Sequence, residues 1–261
     1  SSEARRGARL LAPGRRLSFT EIALAATVGR TRLRVFARPR VAILATGDEV
    51  VSIEAEPLQH QVRNSNSYSL AVQVARAGGA PDILPPARDE CDATRDLVAR
   101  GLASDLLLLS GGVSAGKYDI VEDVLATLGA EFFFDRVLIQ PGQPLVFGRA
   151  RGTFFFGLPG NPASTVVTFE LFARAAVELL GGQSGATLPI LQARLAQDFR
   201  HKSGLTRFLP ARLSDDGSQV TPIPWHGSSD VPAMAEANAL LVASADRESW
   251  RAGEFIGVLL K

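Results

Sequence analysis

DLLLLSGGVSAGKYDIVEDVL, residues 105–125, is the stretch on which the fold turns. Four leucines in a row read as a buried strand, and Ser110 ends it. Two glycines then turn the chain, a loop of small residues follows, and Asp119, Glu122 and Asp123 mark a helix start. A glycine turn between strand and helix can wrap backbone N–H groups around an anion, with Ser110 and Ser114 donating from their side chains. It also serves as a plain tight turn, for which glycine alone suffices. Carboxylates beside an anion repel it unless a cation lies between. Glu122 and Asp123 are accounted for as first-turn charges on the helix dipole. Asp119 is suited both to a helix cap and to chemistry. Lys117 is the obvious phosphate lysine by position.

The same alternation extends to both sides of this stretch. RVAILATG from Arg40 and PDILP from Pro81 read as strands, separated by a helix over 65–79 that ends in glycine. A helix over 89–101 leads into the leucine strand. A helix over 119–129 follows it, then strands over 132–139, 144–147 and 153–156 and one long helix over 162–180. Strands alternating with amphipathic helices predict a parallel or mixed sheet with helices on both faces. GGQSGA (181–186) is a linker by composition. Beyond it, short alternating segments broken by turn pairs such as Asp216-Gly217 predict a small β-rich or barrel-like unit. Before Arg40, Ser18 and Glu21 form a capping box for a helix over 18–29, and TRLRVFA (31–37) alternates like a strand.

Bulk properties narrow the function. The 261 residues are 46% hydrophobic and 21% charged, and 28 basic residues nearly balance 27 acidic ones, which argues against an overall nucleic-acid or membrane-surface footprint. The imbalance is local, with ten arginines and two acids in the first forty positions. Cys91 alone excludes an internal disulfide and a thiolate cluster, and His60, His201 and His226 are too scattered for a histidine metal site. His226, in WHGSSD, reads as a turn residue; His60 and His201 read as surface residues. No apolar run approaches the roughly 18 residues of a membrane span. A cytoplasmic protein without membrane attachment is expected. The opening SSEARRGARLLAPGRRL reads as the middle of a longer polypeptide.

Ligands of such sheets sit beyond the carboxyl ends of the strands, so the residues after each strand matter most. These are Thr46-Gly47-Asp48-Glu49, then Arg88-Asp89-Glu90, then SGGVSAGKYD (110–119), and GLPGNPAS (157–164), where Pro162 suits the first helical position. All four are expected to open on one face. Asp48, Glu49, Asp89 and Asp119 would then converge near an anion, an arrangement that suits Mg²⁺ bound by carboxylates and substrate phosphate oxygens.

TGDE (46–49), RNSNS (63–67), SGGVSAGKYD (110–119), PGQPLVFG (141–148) and GLPGNPAS (157–164) occur in the order and spacing of one family. The chain resembles the molybdopterin molybdenumtransferase (MoeA/gephyrin E-domain) family over essentially its whole length. The resemblance implies an α/β fold: a three-layer, mostly parallel sheet domain of molybdopterin-binding type over 39–182, a C-terminal β-barrel-like domain over 183–261, and a partial N-terminal dimerisation segment over 1–38. It implies a homodimeric transferase that takes adenylylated molybdopterin and molybdate and, with Mg²⁺, releases AMP. A molybdopterin adenylyltransferase is a further implied partner.

Carried onto this sequence, the acids Asp119, Glu49 and Asp89 are the implied catalytic residues, and Asp48 joins them as metal ligand. Implied substrate contacts are Thr46 and Gly47; Asn64, Ser65 and Asn66; and Ser110, Gly111, Gly112, Val113, Ser114 and Gly116. Gln140, Pro141, Gly142 and Gln143 add a loop, and Pro159, Gly160, Asn161, Pro162 and Ser164 a helix start. The chain departs from the family in carrying Gln140 and Gln143 where lysines are usual and Asn64 where aspartate is usual. The family's second domain has no counterpart in these residues. Two other functions fit the same motifs: a non-catalytic molybdopterin-binding or scaffold protein, and the adenylyltransferase itself.

Overall fold

The computed structural model describes residue 5 and residues 7–88, 90–112 and 120–261. Strands β1 (Arg40–Ala45), β4 (Ala80–Ile83), β5 (Leu106–Ser110), β6 (Glu131–Arg136), β8 (Pro144–Ala150) and β9 (Thr153–Leu158) form one six-stranded sheet. Between the first two lie the short strands β2 (Val50–Val51) and β3 (Val62–Arg63), which pair only with each other. The order is β4-β1-β5-β9-β8-β6, with β4, β1, β5 and β9 parallel neighbours and β8 antiparallel to both β9 and β6.

The leucine run is buried at every position because each face of β5 meets its own helical layer. Leu107 and Leu109 point with Ala42 and Leu44 toward α3 (Cys91–Gly101) and α4 (Ile120–Thr127), where Val98 and Val124 pack on them. Leu106 and Leu108 point the other way with Val41 and Ile43, against Leu70 and Val74 of α2 (Ser65–Ala77) and Val177. At about 25 cal/mol per Å² of apolar area, burial of a leucine contributes roughly 2–3 kcal/mol relative to exposure, so this double coverage is the main source of stability for the sheet.

The 162–180 helix is continuous but not uniform. Pro162–Thr168 (α5) and Arg174–Leu180 (α6) are joined by a π-helical turn, Phe169–Ala173. In this region Thr165 and Thr168 back-bond to Asn161 and Ser164 carbonyls, and Gln73 reaches from α2 to Val166 O and Glu170. These contacts offer local alternatives to the regular ladder.

Past it, β10 (Ile190–Leu195), β12 (Thr206–Leu213), β13 (Gln219–Pro222), β14 (Ala239–Ala243) and β16 (Phe255–Leu260) close into a five-stranded barrel, β13-β10-β16-β14-β12 and back to β13. Alternate residues such as Leu195, Ala211, Val220, Leu241 and Val258 fill it. A two-stranded ribbon of β11 (Phe199–Arg200) and β15 (Ser249–Trp250) lies outside, with His201 stacked on Phe199 and Trp250 and bonded to Arg247 O at 2.6 Å. His201 is thus part of an aromatic stack rather than a simple surface residue. A second core, with Ala163 and Val167 of α5 against Phe208, Met234 and Leu259, joins barrel to sheet unit. Met234 belongs to α7 (Val231–Glu236), which was not expected from the sequence.

Two strand expectations need correction. TRLRVFA is not a strand: the segment after α1 (Phe19–Thr27) is exposed and finds no neighbouring strand among the described residues, and extended backbone without a partner ladder is not a sheet. The 132–139 strand is broken. Bulges disturb β6 between Phe132 and Arg136, and the chain then changes sheets: β7 (Ile139–Gln140) pairs in parallel with Thr206 and Arg207 of β12. The 18–29 helix forms with its capping box and glycine stop, and Phe19 and Ile22 on it are 85% and 54% exposed, in keeping with a segment too small for a core of its own. Among the described residues no helix is long and apolar enough to cross a membrane.

Candidate functional site

The carboxyl ends of β1, β5 and β9 deliver their loops to one edge of the sheet, as expected, and the loops are sewn together there. Thr46 N donates to Ser110 O at 3.0 Å, and Gly111 N donates to Leu158 O at 3.2 Å. Asn66, in the first turn of α2, spans the seam: its Nδ2 donates to Ser110 Oγ (2.9 Å) and to Gly160 O (2.8 Å). Asn64 caps the same helix, its Oδ1 accepting from Ser67 N at 3.2 Å.

Glycine is obligatory at two points of the turn. Gly111 and Gly112 both have left-handed φ, +87° and +60°. A Cβ on Gly111 would stand 2.6 Å from Thr46 O, and one on Gly112 2.5 Å from Thr46 Oγ1. The conformation and the closeness of the first loop both exclude a side chain. Thr46 itself is buried, and its hydroxyl has no hydrogen-bond partner among the described residues.

This edge holds a cleft of about 450 Å³. Thr46, Glu49, Asn64, Ser65, Asn66, Ser110, Gly111, Gly160, Asn161 and Pro162 line it, so ten expected site residues are brought together. Arg63 and Ser229 join them, and the sequence reading had singled out neither for the site. Arg63 is held by its Nε, which donates to Ala55 O at 3.1 Å, and supplies the cleft's one positive group among the described residues; Glu49 supplies the negative one.

A second cleft, of about 410 Å³, begins at Asn161 and runs between the sheet unit and the barrel. Gln140, Pro141, Gly142, Gln143, Pro159 and Ser164 line one side; Leu205, Trp225, Gly227 and Ser228 line the other. Gly142 has φ +107°, and a Cβ there would meet Thr168 Cγ2, which presses this loop onto α5. Ala163 N donates to Ser228 O at 2.9 Å, tying the helix start to the barrel loop. Asp230 holds that loop by accepting from Ala233 N (3.1 Å) and His226 N (3.0 Å), and these backbone bonds hold its carboxyl below the usual carboxylate range. His226 also faces Asp230 at 3.2 Å but is 93% exposed, in keeping with a turn residue.

Gly47, Asp48 and Gly112 are described but line neither cleft. Gly47 is crowded by Glu49, whose carboxylate folds back over it. Asp89, Val113, Ser114, Gly116, Lys117 and Asp119 lie outside the described residues. Of the second loop, Arg88 and Glu90 are turned to the start of α3, where Thr94 Oγ1 donates to Arg88 O at 2.7 Å. Glu122 is half-buried, and burial first, then Asp135 and Asp123, push its carboxyl above the ordinary value, in line with a structural residue away from the clefts.

Among the described residues no three His, Cys, Asp or Glu side chains form a metal-binding group. Mg²⁺ needs only one or two carboxylates beside substrate oxygens and water. Glu49, which lines the first cleft among hydroxyl and carbonyl oxygens, is a hard-oxygen donor of the kind that ion takes, whereas Asp48 beside it in sequence lines neither cleft.

Comparison with known proteins agrees with this layout. A family model described as a probable molybdopterin binding domain matches residues 42–179, and one described as the MoeA C-terminal region (domain IV) matches residues 192–261. The chain is similar to a molybdopterin molybdenumtransferase of Staphylococcus epidermidis, 31% identical over 99% of this chain and 62% of that one. One of Staphylococcus aureus is 29% identical over the same shares. The chain thus spans about three fifths of the length of the curated relatives it matches. The crystal structure of a molybdopterin biosynthesis MoeA protein from Pyrococcus horikoshii superposes with a TM-score of 0.81 at 29% identity, covering 95% of this chain and 61% of that one. A second structure from that organism, 21% identical, covers 100% and 63% with the same TM-score, and agrees in fold.

Proposed function

The chain belongs to the probable molybdopterin-binding domain family, and from that premise we propose that it is the catalytic part of a transferase that inserts molybdenum from molybdate into adenylylated molybdopterin and releases AMP. The observation that carries this reading is the convergence of three strand-end loops, pinned by Asn66, on a cleft that continues at Asn161 into a second one. Such a two-part groove suits a long ligand with a phosphate portion and a ring portion.

In this reading the glycine turn and Arg63 hold the phosphate portion, while Asn66 keeps the walls at a fixed spacing. Glu49 and Asp48, with Asp89 and Asp119, hold Mg²⁺. When bound, that ion polarises phosphoryl oxygens and offsets the charge that builds up as the phosphoanhydride bond breaks. Asp119, Glu49 and Asp89 are the proposed catalytic acids. The chain's own contribution is chiefly position: the backbone holds the reacting phosphate beside the carboxylates. The division into 1–38, 39–182 and 183–261 is part of the proposal, supported by the separate cores of sheet and barrel. So are a homodimer, cytoplasmic residence, and supply of substrate by an adenylyltransferase.

The test is incubation with adenylylated molybdopterin, Mg²⁺ and molybdate, with AMP measured. Molybdate-dependent release is the expected result. Tight binding without release would replace the transferase by a binding module, and absence of binding would overturn both.

A further inference from the structure

GGQSGA (181–186) has the composition of a free linker, yet the fold seats it from two sides. Arg174, at the start of α6, donates from Nη2 to Thr187 O at 3.0 Å, just past the linker. Its Nη1 pairs with Glu178 Oε1 at 3.1 Å, and its Nε faces Glu170 Oε2 at 3.9 Å. The Arg174 side chain is 20% exposed and that of Glu178 8%, so salt screens this network less than it screens a surface pair. From the other side Gly14 O accepts from Ser184 N at 3.1 Å, and the Phe36 ring lies where a Cβ on Gly182 would stand.

Each arm of this network leads to one wall of the groove. Glu170 accepts from Gln73 Nε2 at 2.7 Å, and Gln73 lies on α2, whose first turn carries Asn66 and the seam of the first cleft. Thr187 precedes Leu188, which packs with Leu171, Phe172 and Trp225 in the core that joins barrel to sheet unit, and Trp225 lines the second cleft. Apolar burial in that core is non-directional: it holds the barrel on without setting its angle. A planar guanidinium bonded along fixed directions supplies the missing angle. Glu170 and Glu178, four positions to either side, are ordinary helix pairs of Arg174; a carbonyl thirteen positions onward is not. The π-helical turn just before Arg174, a departure often found at functional sites, sets the direction in which the side chain leaves the helix.

We propose that Arg174 is a positioning residue of the transferase: by tying Thr187 to the π-helical turn it sets the barrel against the sheet unit, and with it the width of the groove that the substrate enters. It acts through Thr187 and Leu188 and touches no substrate. The proposal rests on the transferase reading for what fills the groove, and on the network alone for how the groove is set.

The test uses the full chain with nitroxide labels on Cys91, exposed at the start of α3, and on Asp215→Cys in the exposed turn between β12 and β13. Pulsed electron spin resonance then reads the distance from sheet unit to barrel. Arg174→Ala is expected to broaden or shift that distance. In the AMP-release assay it is expected to raise KM about tenfold, within the roughly hundredfold that a misplacement of about 1 Å can cost, with kcat held within about twofold. A merely structural role would lower the urea midpoint and leave both the distance and KM of the folded chain as they were. Arg174→Ala strands the Glu178 carboxylate, so Arg174→Gln with Glu178→Gln, which leaves no lone charge, serves if the first variant does not fold. An unchanged distance in a folded variant would overturn the proposal, and so would a changed distance with KM unchanged. If the chain with Arg174 intact binds adenylylated molybdopterin but releases no AMP, the transferase reading fails by itself. The affinity for that ligand, expected to be about tenfold weaker in the variant, then takes the place of KM. Absence of binding would overturn both.

Discussion

Gly111→Ala tests whether the glycine turn is a built feature or an ordinary loop. Gly111 has φ +87°, and a left-handed alanine costs about 1–2 kcal/mol. The added Cβ would also lie 2.6 Å from Thr46 O. That oxygen cannot swing aside like the end of a side chain, since it belongs to a backbone segment whose Thr46 N is bonded to Ser110 O at 3.0 Å. Overpacking of this kind costs roughly 1–3 kcal/mol, which brings the total to about 2–5 kcal/mol. Gly129→Ala is the internal control: its φ is +77°, but nothing lies within 4 Å of its Cβ position, so it bears the backbone cost alone. Urea denaturation of both variants, compared at a common slope, should place Gly111→Ala about 1–3 kcal/mol below Gly129→Ala. The same variant should lose binding of the adenylylated substrate, because the walls of the first cleft would be forced apart. Equal midpoints for the two variants, with substrate binding retained, would refute the claim that the close approach of the two loops shapes this site.

Asn66→Ala removes both ties of the seam and leaves Ser110 Oγ and Gly160 O to water; stability should fall by about 1–3 kcal/mol, and the KM for the adenylylated substrate should rise more than kcat falls. Asp119→Asn and Glu49→Gln should abolish AMP release while sparing substrate binding by calorimetry; turnover unchanged in either would remove that acid from the site. Glu21, with Ser18 Oγ and Ser18 N donating to its Oε2 at 2.6 and 2.9 Å, has its carboxyl pulled down to about 2. A carboxyl lowered on folding adds stability that is fully present above its unfolded value, near 4.5, and is lost as pH falls toward about 2. Hydrogen exchange of the α1 amides should therefore quicken over that window and show a smaller pH response in Glu21→Gln.

Much of the fold was legible in the residues themselves. Double-sided burial of LLLL, the glycine stop after α2 at Gly78 and the Ser18–Glu21 box all depend on neighbours a few positions away, so sequence pattern reports them directly. TRLRVFA shows the limit of that reasoning: alternation describes a strand's side chains, but only a paired neighbour makes it one. The break after Arg136 was hidden for a related reason. Nothing local in Ile139-Gln140 signals that its hydrogen bonds go to Thr206 and Arg207, more than sixty positions onward.

The site divides in the same way. Strand-end position marked Thr46, Ser110, Gly111, Gly160 and Asn161, because strand ends on a parallel sheet share an edge and small residues after them are easily seen, whereas Asn66 entered only through the family resemblance. Arg63, Trp225 and Ser228 were not marked, since an arginine before a helix and a tryptophan in a turn have many ordinary explanations. What sequence by itself determined is therefore the sheet, its turns and one wall of the groove, all products of local chemistry repeated along the chain. Tertiary structure alone decided the other wall. The packing of Phe208, Met234 and Leu259 against Ala163 and Val167 carries the barrel loop to the start of α5, and that burial of distant apolar surfaces sets the second cleft beside the first.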